Sequence, residues 1–344
     1  MLTEAFWNSF GSAAMVQAIG GALAALPKRP ERIAVGLSGG ADSAMLAAHA
    51  ALYARRRGIQ LHCFHIHHGL QAAADRWQAH AHDLAQLLGL PCHSLTVSVD
   101  LGGGSGMESA ARDARYEALG RLAAVAGVEH VLLAHHRDDQ AETVLLRLLR
   151  GAGPAGLAAM APAVQRAGLT YLRPWLDIER AAILEQARAF QQATAWEPVQ
   201  DPTNADEHYT RAAVRERLAP ELNRRWPGWQ GSLARHARQS AETSAILDEV
   251  ARQDFQGLDP GADGKDFSLA AWRLLSRPRQ ALVLRYWLGL LGQRMPTDAR
   301  LQDLMRQMRG LHALGHDRRM DVKHGSAHIR CAGGRVLLDA PSEH

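Results

Sequence analysis

Residues 31–43 read Glu-Arg-Ile-Ala-Val-Gly-Leu-Ser-Gly-Gly-Ala-Asp-Ser, ERIAVGLSGGADS. Glu31–Ser38 is a short β-type run, which predicts a buried strand. A helical pattern follows to about Arg57. Two glycines at such a strand-to-helix turn let the backbone adopt shapes closed to other residues and approach an anion closely. The free N–H groups and positive end of the helix then face a phosphate. Ser38 and Ser43 can donate hydroxyl hydrogen bonds, while Asp42 would repel a bare polyphosphate unless Mg²⁺ lies between them. A Walker loop would need Gly-Lys-Ser/Thr here, and a dinucleotide fingerprint would need a third spaced glycine. Neither is present. The plainer alternative is a tight βα turn with ordinary capping residues. In the functional reading Asp42 is predicted to sit in an exposed turn.

Outward from this stretch the alternation repeats. Leu61–His67, His93–Val99 and His130–His136 read as strands, and Thr170–Leu176 as a fifth. Helical patterns follow them to Gly89, over Glu108–Ala126, over Asp138–Arg150 and over Asp177–Gln192. An apolar, alanine-rich helix precedes them over residues 1–27. Strands alternating with helices imply right-handed βαβ units, hence an α/β fold with a parallel sheet flanked by helices. Such sheets bind ligands beyond the carboxyl ends of their strands.

After the Pro/Asp-rich stretch 197–204 the pattern is helical to about Arg309, with Pro296-Thr297-Asp298 marking a helix start. Two β-like runs around Gly333-Gly334 predict a closing hairpin. The expected division is a catalytic domain over 1–220 and a mainly helical domain over 221–344.

With 47% hydrophobic and 22% charged residues among 344, the chain is expected to be globular and not disordered. No apolar stretch approaches the ~18 residues of a membrane span. Cys63, Cys92 and Cys331 form neither a disulfide framework nor a CxxC motif, which points to the cytoplasm. The sequence leaves homodimerisation open. Residues 1–204 carry 17 basic and 18 acidic side chains, whereas 270–330 carry 12 and 4. Arg273, Arg277, Arg279 and Arg285 fall in one predicted helix and Arg300, Arg306 and Arg309 in the next. This excess suits either a polyanion-binding appendage or a solvated arginine surface.

Three further groups carry candidate chemistry. Asp139 and Glu142, three apart on a predicted helix, share a face and can converge on an ammonium. Arg112 and Arg115 share another face, aimed at a transferring phosphoryl group or paired with Asp113 or Glu117. His65, His67, His68, His135 and His136 follow two strands, but alternate residues of a strand point to opposite faces. They are expected to line a nucleotide pocket or satisfy buried hydrogen bonds rather than hold a metal. Gly102–Gly106 reads as a lid or a long turn, and Leu145, Leu148 and Leu149 as core.

SGGADS resembles the SGGxDS loop of the PP-loop, or N-type, ATP pyrophosphatases. His65–Leu70, Glu108–Tyr116, Ala134–Thr143, Arg147–Gly153, Arg173-Pro174 and Asp201–Asn204 with Tyr209, Arg211 and Arg215 resemble the tRNA(Ile)-lysidine synthase family. That family usually has Asn where this chain has Ala212. The resemblance implies ATP and Mg²⁺ as cofactors, and tRNA(Ile) with a CAU anticodon and free L-lysine as partners. It implies adenylation of the wobble cytidine, then lysine attack to give lysidine. Ser38, Gly39, Gly40, Ala41, Asp42 and Ser43 would hold ATP, with Asp42 on Mg²⁺. Asp42, Arg115 and Arg211 would be catalytic, Asp139 and Glu142 would bind lysine, and the basic C-terminal part would bind tRNA.

Overall fold

The computed structural model describes residues 2–67, 69, 74–97, 107–200, 210–311 and 320–339. His68, Leu70, the Gly102–Gly106 loop, Asp201–Asn204 and Tyr209 lie outside the described residues.

The first compact unit comprises residues 1–240. It opens with α1 (Glu4–Ser9) and α2 (Ala13–Ala24), not the single helix expected, because Gly11 between them turns the chain at φ +103°. There follow β1 (Arg32–Gly36), α3 (Ala41–Arg57), β2 (Gln60–His67), α4 (Ala74–Leu88), β3 (Cys92–Thr96) and α5 (Met107–Ala126). Next come β4 (His130–Leu132), α6 (Arg137–Leu149), α7 (Pro154–Leu157), β5 (Ala163–Arg166), β6 (Leu169–Leu172) and α8 (Arg180–Thr194). Helix α9 (Thr210–Ala213), a π turn over Val214–Leu218 and α10 (Ala219–Arg225) lead to the long α11 (Trp229–Gly257).

The strand order is β3-β2-β1-β4-β6-β5. All pairings are parallel except β5–β6, an antiparallel edge that the sequence reading missed. Its four exposed residues carry no apolar alternation to announce it. Strand pairing along β4 stops at Leu132, short of the expected His136, because the chain there leaves the sheet and becomes the N-cap of α6.

Alternation along β1 explains the layers. Ile33 and Val35 pack with α1–α4 and α8 in one core, and Ala34 joins Phe64, Val131, Tyr171 and the inner face of α5 in the other. Helix α3 is buried almost throughout from Ser43 to Leu52, since it lies among the sheet, α2 and α8. Its alanines permit that close packing. The expectation that Leu148 and Leu149 are core is wrong. They are 52% and 70% exposed, because the last turn of α6 runs past the core that its middle builds.

The second unit comprises residues 241–344, so the division falls within α11. Beyond α11 it contains β7 (Asp266–Ser268), α12 (Leu269–Leu274), α13 (Arg277–Leu290), α14 (Asp298–Gly310), β8 (Asp321–His324), β9 (Ala327–Ala332) and β10 (Arg335–Asp339). The expected hairpin is β9–β10, and it belongs to an antiparallel sheet ordered β7-β10-β9-β8. Trp272, Trp287, Phe267, Met305 and Val336 centre its core. Thr297 caps α14 through its hydroxyl, as Pro296-Thr297-Asp298 suggested. Arg273 and Arg277 do not share a helix, because Leu275 and Ser276 are extended and separate α12 from α13.

Candidate active site

In the first sheet β1 is followed in space by β2 on one side and β4 on the other, so the direction of winding reverses between β1 and β4. The crevice beyond the carboxyl ends of those two strands is where a doubly wound sheet binds ligands. Two connections border it, β1 to α3 and β4 to α6.

The first connection is the Ser38–Ser43 loop. Gly39 sits at φ +90°, and a Cβ there would lie 3.2 Å from Val199 Cγ2. The Val199 N–H donates to the Gly39 carbonyl at 3.0 Å. Gly40 is the N-cap of α3, and the Ser43 hydroxyl donates to its carbonyl at 3.1 Å. The Ser38 N–H donates to Ser43 Oγ at 3.1 Å, and the two hydroxyls are 3.0 Å apart. The loop is thus closed by its own serines, leaving the first turn of α3 as an anion cradle.

Asp42 is not in an exposed position, as the sequence had suggested. It lies in the first turn of α3, half-buried, with Oδ2 3.7 Å from His136 Nε2 and 3.8 Å from Arg180 Nε. Burial opposes its ionisation, yet His136, Arg180 and Arg215 together hold its pKa below the ordinary carboxylate value. Its other oxygen, Oδ1, is buried and has no hydrogen-bond partner among the described residues. A hard carboxylate oxygen left unpaired beside a phosphate cradle fits Mg²⁺, which takes one or two carboxylates plus phosphate oxygens.

The second connection is built by His136. As N-cap of α6 its Nδ1 accepts from the Asp139 N–H at 3.3 Å when the ring is neutral, and its backbone N–H donates to Asp139 Oδ2 at 3.1 Å in either state. This reciprocal cap fixes Asp139 beside the loop. Burial disfavours the imidazolium, but Asp42, Asp139 and Asp138 outweigh it and raise the His136 pKa. Asp138 turns elsewhere, accepting from the Arg180 N–H at 3.0 Å.

Asp139 and Glu142 share a buried face of α6, as their spacing indicated. The structure adds a third residue, Arg215. Its Nε donates to Glu142 Oε1 at 2.6 Å, and its Nη2 donates to Glu142 Oε2 at 2.9 Å and Asp139 Oδ1 at 3.0 Å. The sequence reading had given Arg215 no role in the site. Glu142's pKa is nonetheless raised, by burial first and Asp139 as well, against the pull of Arg215. The site is built to need a cation.

On the other side the side chains are arginines. Burial lowers the pKa of Arg115, and Arg112 and Arg211 add to the effect. The Arg115 side chain is nonetheless exposed to solvent. Arg147 and Arg173 are lowered likewise, burial first, with Arg112 contributing to both. Arg112 does not pair with Asp113, which binds Arg166 at 3.0 Å; it lies over the Tyr116 ring at 5.5 Å. Arg211 donates to Thr143 Oγ1 at 3.3 Å, one turn of α6 from Asp139, and the adjacent Ala212 is buried. Guanidiniums remain charged at any working pH, so such crowding is relieved by an anion. His135 is kept neutral among them, its pKa pushed down to about 4 by burial first, with Arg173, Arg211 and Arg115 adding and Asp139 opposing.

Of the other histidines, His65 donates from Nδ1 to the Leu37 carbonyl at 2.8 Å, bracing the start of the loop, and His67 Nε2 is 2.9 Å from Asp75 Oδ1. Cys63 and Cys92, 29 apart in the chain, are register partners on β2 and β3. Burial pushes both thiols up, Cys92 to about 11.

An anion cradle at the reversal of a doubly wound sheet, an Asp in its first helical turn and no lysine define an ATP-using PP-loop fold. Residues 14–222 match the PP-loop domain family, and residues 267–337 match the TilS substrate binding domain. The chain is 58% identical over 327 residues to the tRNA(Ile)-lysidine synthase of Bordetella bronchiseptica, covering 95% of each chain. It is 43% identical over 313 residues to that of Ralstonia nicotianae, covering 90% of this chain and 65% of the other. Among solved structures, the U34-tRNA thiolase NcsA from Methanococcus maripaludis matches with a TM-score of 0.55 at 17% identity, over 66% of this chain and 78% of that one. That last likeness concerns the fold alone. The chain belongs to the tRNA(Ile)-lysidine synthase family.

Proposed function

We propose that this protein ligates free L-lysine to C2 of the wobble cytidine of tRNA(Ile) bearing a CAU anticodon, through an adenylated cytidine, releasing AMP and pyrophosphate. The observation that carries this reading is the buried Asp139/Glu142 pair, held by the His136 cap next to Asp42 of the phosphate loop. One crevice thereby offers a seat for a polyphosphate and a seat for an ammonium.

Ser38, Gly39, Gly40, Ala41, Asp42 and Ser43 bind the pyrophosphate part of ATP. Mg²⁺, held by Asp42, supplies charge neutralisation between that carboxylate and the phosphates. Arg115 and Arg211 stabilise negative charge developing on the α-phosphoryl group as the cytidine O2 attacks it. Adenylation turns a poor leaving oxygen into a good one. Asp139 and Glu142 then present the lysine side chain, whose amine displaces AMP. The basic stretch 270–330 of the second unit contributes to tRNA binding. Among the described residues no helix is long and apolar enough to cross a membrane, and we place the protein in the cytoplasm with its substrate. Light scattering reads whether it works as a monomer or a homodimer.

The test is to incubate the purified protein with ATP, Mg²⁺, lysine and CAU-anticodon tRNA(Ile), then analyse nucleosides by mass spectrometry. A lysine-sized addition to cytidine with release of AMP is the expected result. Release of ADP and phosphate, or addition of sulfur by a thiolase-type reaction, would overturn the reading.

A further inference from the structure

The ammonium seat is already filled. Arg215 makes three charge-assisted hydrogen bonds to Asp139 and Glu142 at 2.6–3.0 Å, and its side chain is 26% exposed against 12% and 7% for the two carboxylates. Its pKa is raised: burial opposes the charge, but Glu142, Asp139 and Asp42 more than compensate. A guanidinium fork on three of the four oxygens of the pair competes with any second cation for the same acceptors. A lysine ammonium gains the full strength of this seat only if Arg215 gives it up.

Arg215 stands on a different element from the pair. The carboxylates are fixed on α6 by the His136 cap, whereas Arg215 lies in the π turn over Val214–Leu218. A π turn is a one-residue widening of an α-helix, found mostly as single turns and frequently at functional sites. The third charge to which Arg215 responds is Asp42, at the phosphate loop. An arginine leaving the pair on that side meets the anion bound there.

We propose that Arg215 is an internal competitor for the amine subsite and thereby a specificity-determining residue. It occupies the Asp139/Glu142 seat in the nucleotide-free protein and yields it to the lysine ε-ammonium when a nucleotide phosphate offers the guanidinium another partner. The inference rests on the assignment of that pair to lysine. It follows that lysine binds weakly before ATP and more tightly after it, so the nucleophile arrives when there is something to attack. A short amine that cannot offset the loss of three hydrogen bonds is excluded.

The experiment is calorimetric titration of L-lysine into the full-length protein with and without a non-hydrolysable ATP analogue. If Arg215 fills the seat in nine molecules of ten, the apparent lysine Kd is raised about tenfold. Wild-type protein is expected to bind lysine about tenfold more tightly with the analogue. Arg215→Gln, which keeps a hydrogen-bond donor but no charge, is expected to bind tightly in both conditions. Arg215→Lys retains a competing cation without the fork and is expected to fall between, which also serves if Arg215→Gln folds poorly. Lysine affinity that is unchanged or weaker in both variants, or unchanged coupling to the analogue, overturns the competitor role. Glu142→Gln in either background separates the two readings. If lysine binding survives it undiminished, the pair is not the lysine seat; if binding is lost there but not improved by the Arg215 variants, only the competitor role fails.

Discussion

Replacing Gly39 by Ala tests whether the loop's backbone shape, rather than its side chains, makes the phosphate seat. Gly39 has φ +90°, where an L-residue is strained by about 1–3 kcal/mol. The new Cβ would also lie 3.2 Å from Val199 Cγ2, tighter than ordinary van der Waals packing. Val199 cannot simply withdraw, because its N–H is bonded to the Gly39 carbonyl at 3.0 Å. Reduced freedom of the unfolded chain returns roughly 0.4–1 kcal/mol, so the net loss should be about 1–2 kcal/mol. Urea unfolding measures it. Gly40→Ala is the control: its φ is −73°, its nearest neighbours would be 3.7 and 4.0 Å away, and its stability should change by no more than about 0.5 kcal/mol. Pyrophosphate exchange in the presence of tRNA should fall on the order of 10²–10³ in folded Gly39→Ala, the scale seen when preorganised donors to a developing anion are lost. Gly39→Ala protein as stable and as active as wild type would mean that the backbone shape is not what seats the phosphate.

Asp42→Asn should cost about 1 kcal/mol or less, since its partners are 3.7–3.8 Å away and Arg180 and Asp42 itself are partly solvated, yet abolish Mg²⁺-dependent pyrophosphate exchange; near wild-type exchange would show that Oδ1 holds no cation. His136 gives a pH dependence: its folded pKa lies above the ordinary value of about 6.5, so its stabilising charge is fully present below that pH and lost as pH rises through the raised value. The gap in urea midpoint between wild type and His136→Asn, which keeps a capping side chain, should therefore shrink from pH 6 to pH 8.5; a constant or widening gap contradicts the assignment. In the second unit Arg279 is paired with buried Asp254 and Arg285 lies 3.4 Å from Asp298, whereas among the described residues Arg277 and Arg300 have no carboxylate within ion-pair distance. Replacing Arg277 and Arg300 with Ala should flatten the salt dependence of tRNA binding, by roughly 0.7–0.9 in the log–log slope for each phosphate no longer neutralised. Arg279→Ala should instead mainly destabilise the unit; the reverse pattern would mean that the ion pairs open on RNA.

The alternation of apolar runs and helices made the sheet legible, because buried parallel strands are near-continuous in hydrophobicity and their crossovers need helices. The phosphate loop was legible for the same reason, with its chemistry confined to six consecutive residues. Strand β5 was not, since an exposed edge strand has no face to bury and leaves no pattern. Nor was the exposure of Leu148 and Leu149: periodicity shows which residues share a helix face, but not how far the core extends beneath it.

The site itself divides along the same line. Asp139 and Glu142 could be paired from their spacing because both lie on one helix, and helical geometry fixes the relation of residues three apart. Arg215 is 73 positions from Glu142, and no local rule connects them. What the spacing leaves open is the counter-charge: two carboxylates side by side on a buried face call for a cation, and burial together with Asp139 raises the Glu142 pKa. Either a ligand or the chain itself must supply it. Spacing along one helix points only to the ligand, whereas the structure shows Arg215 of the chain bonded to both carboxylates. If the pair is the seat of the lysine ammonium, as proposed, filling it from within removes the instability of an empty acidic pocket. It also makes admission of the substrate depend on where the displaced arginine can go.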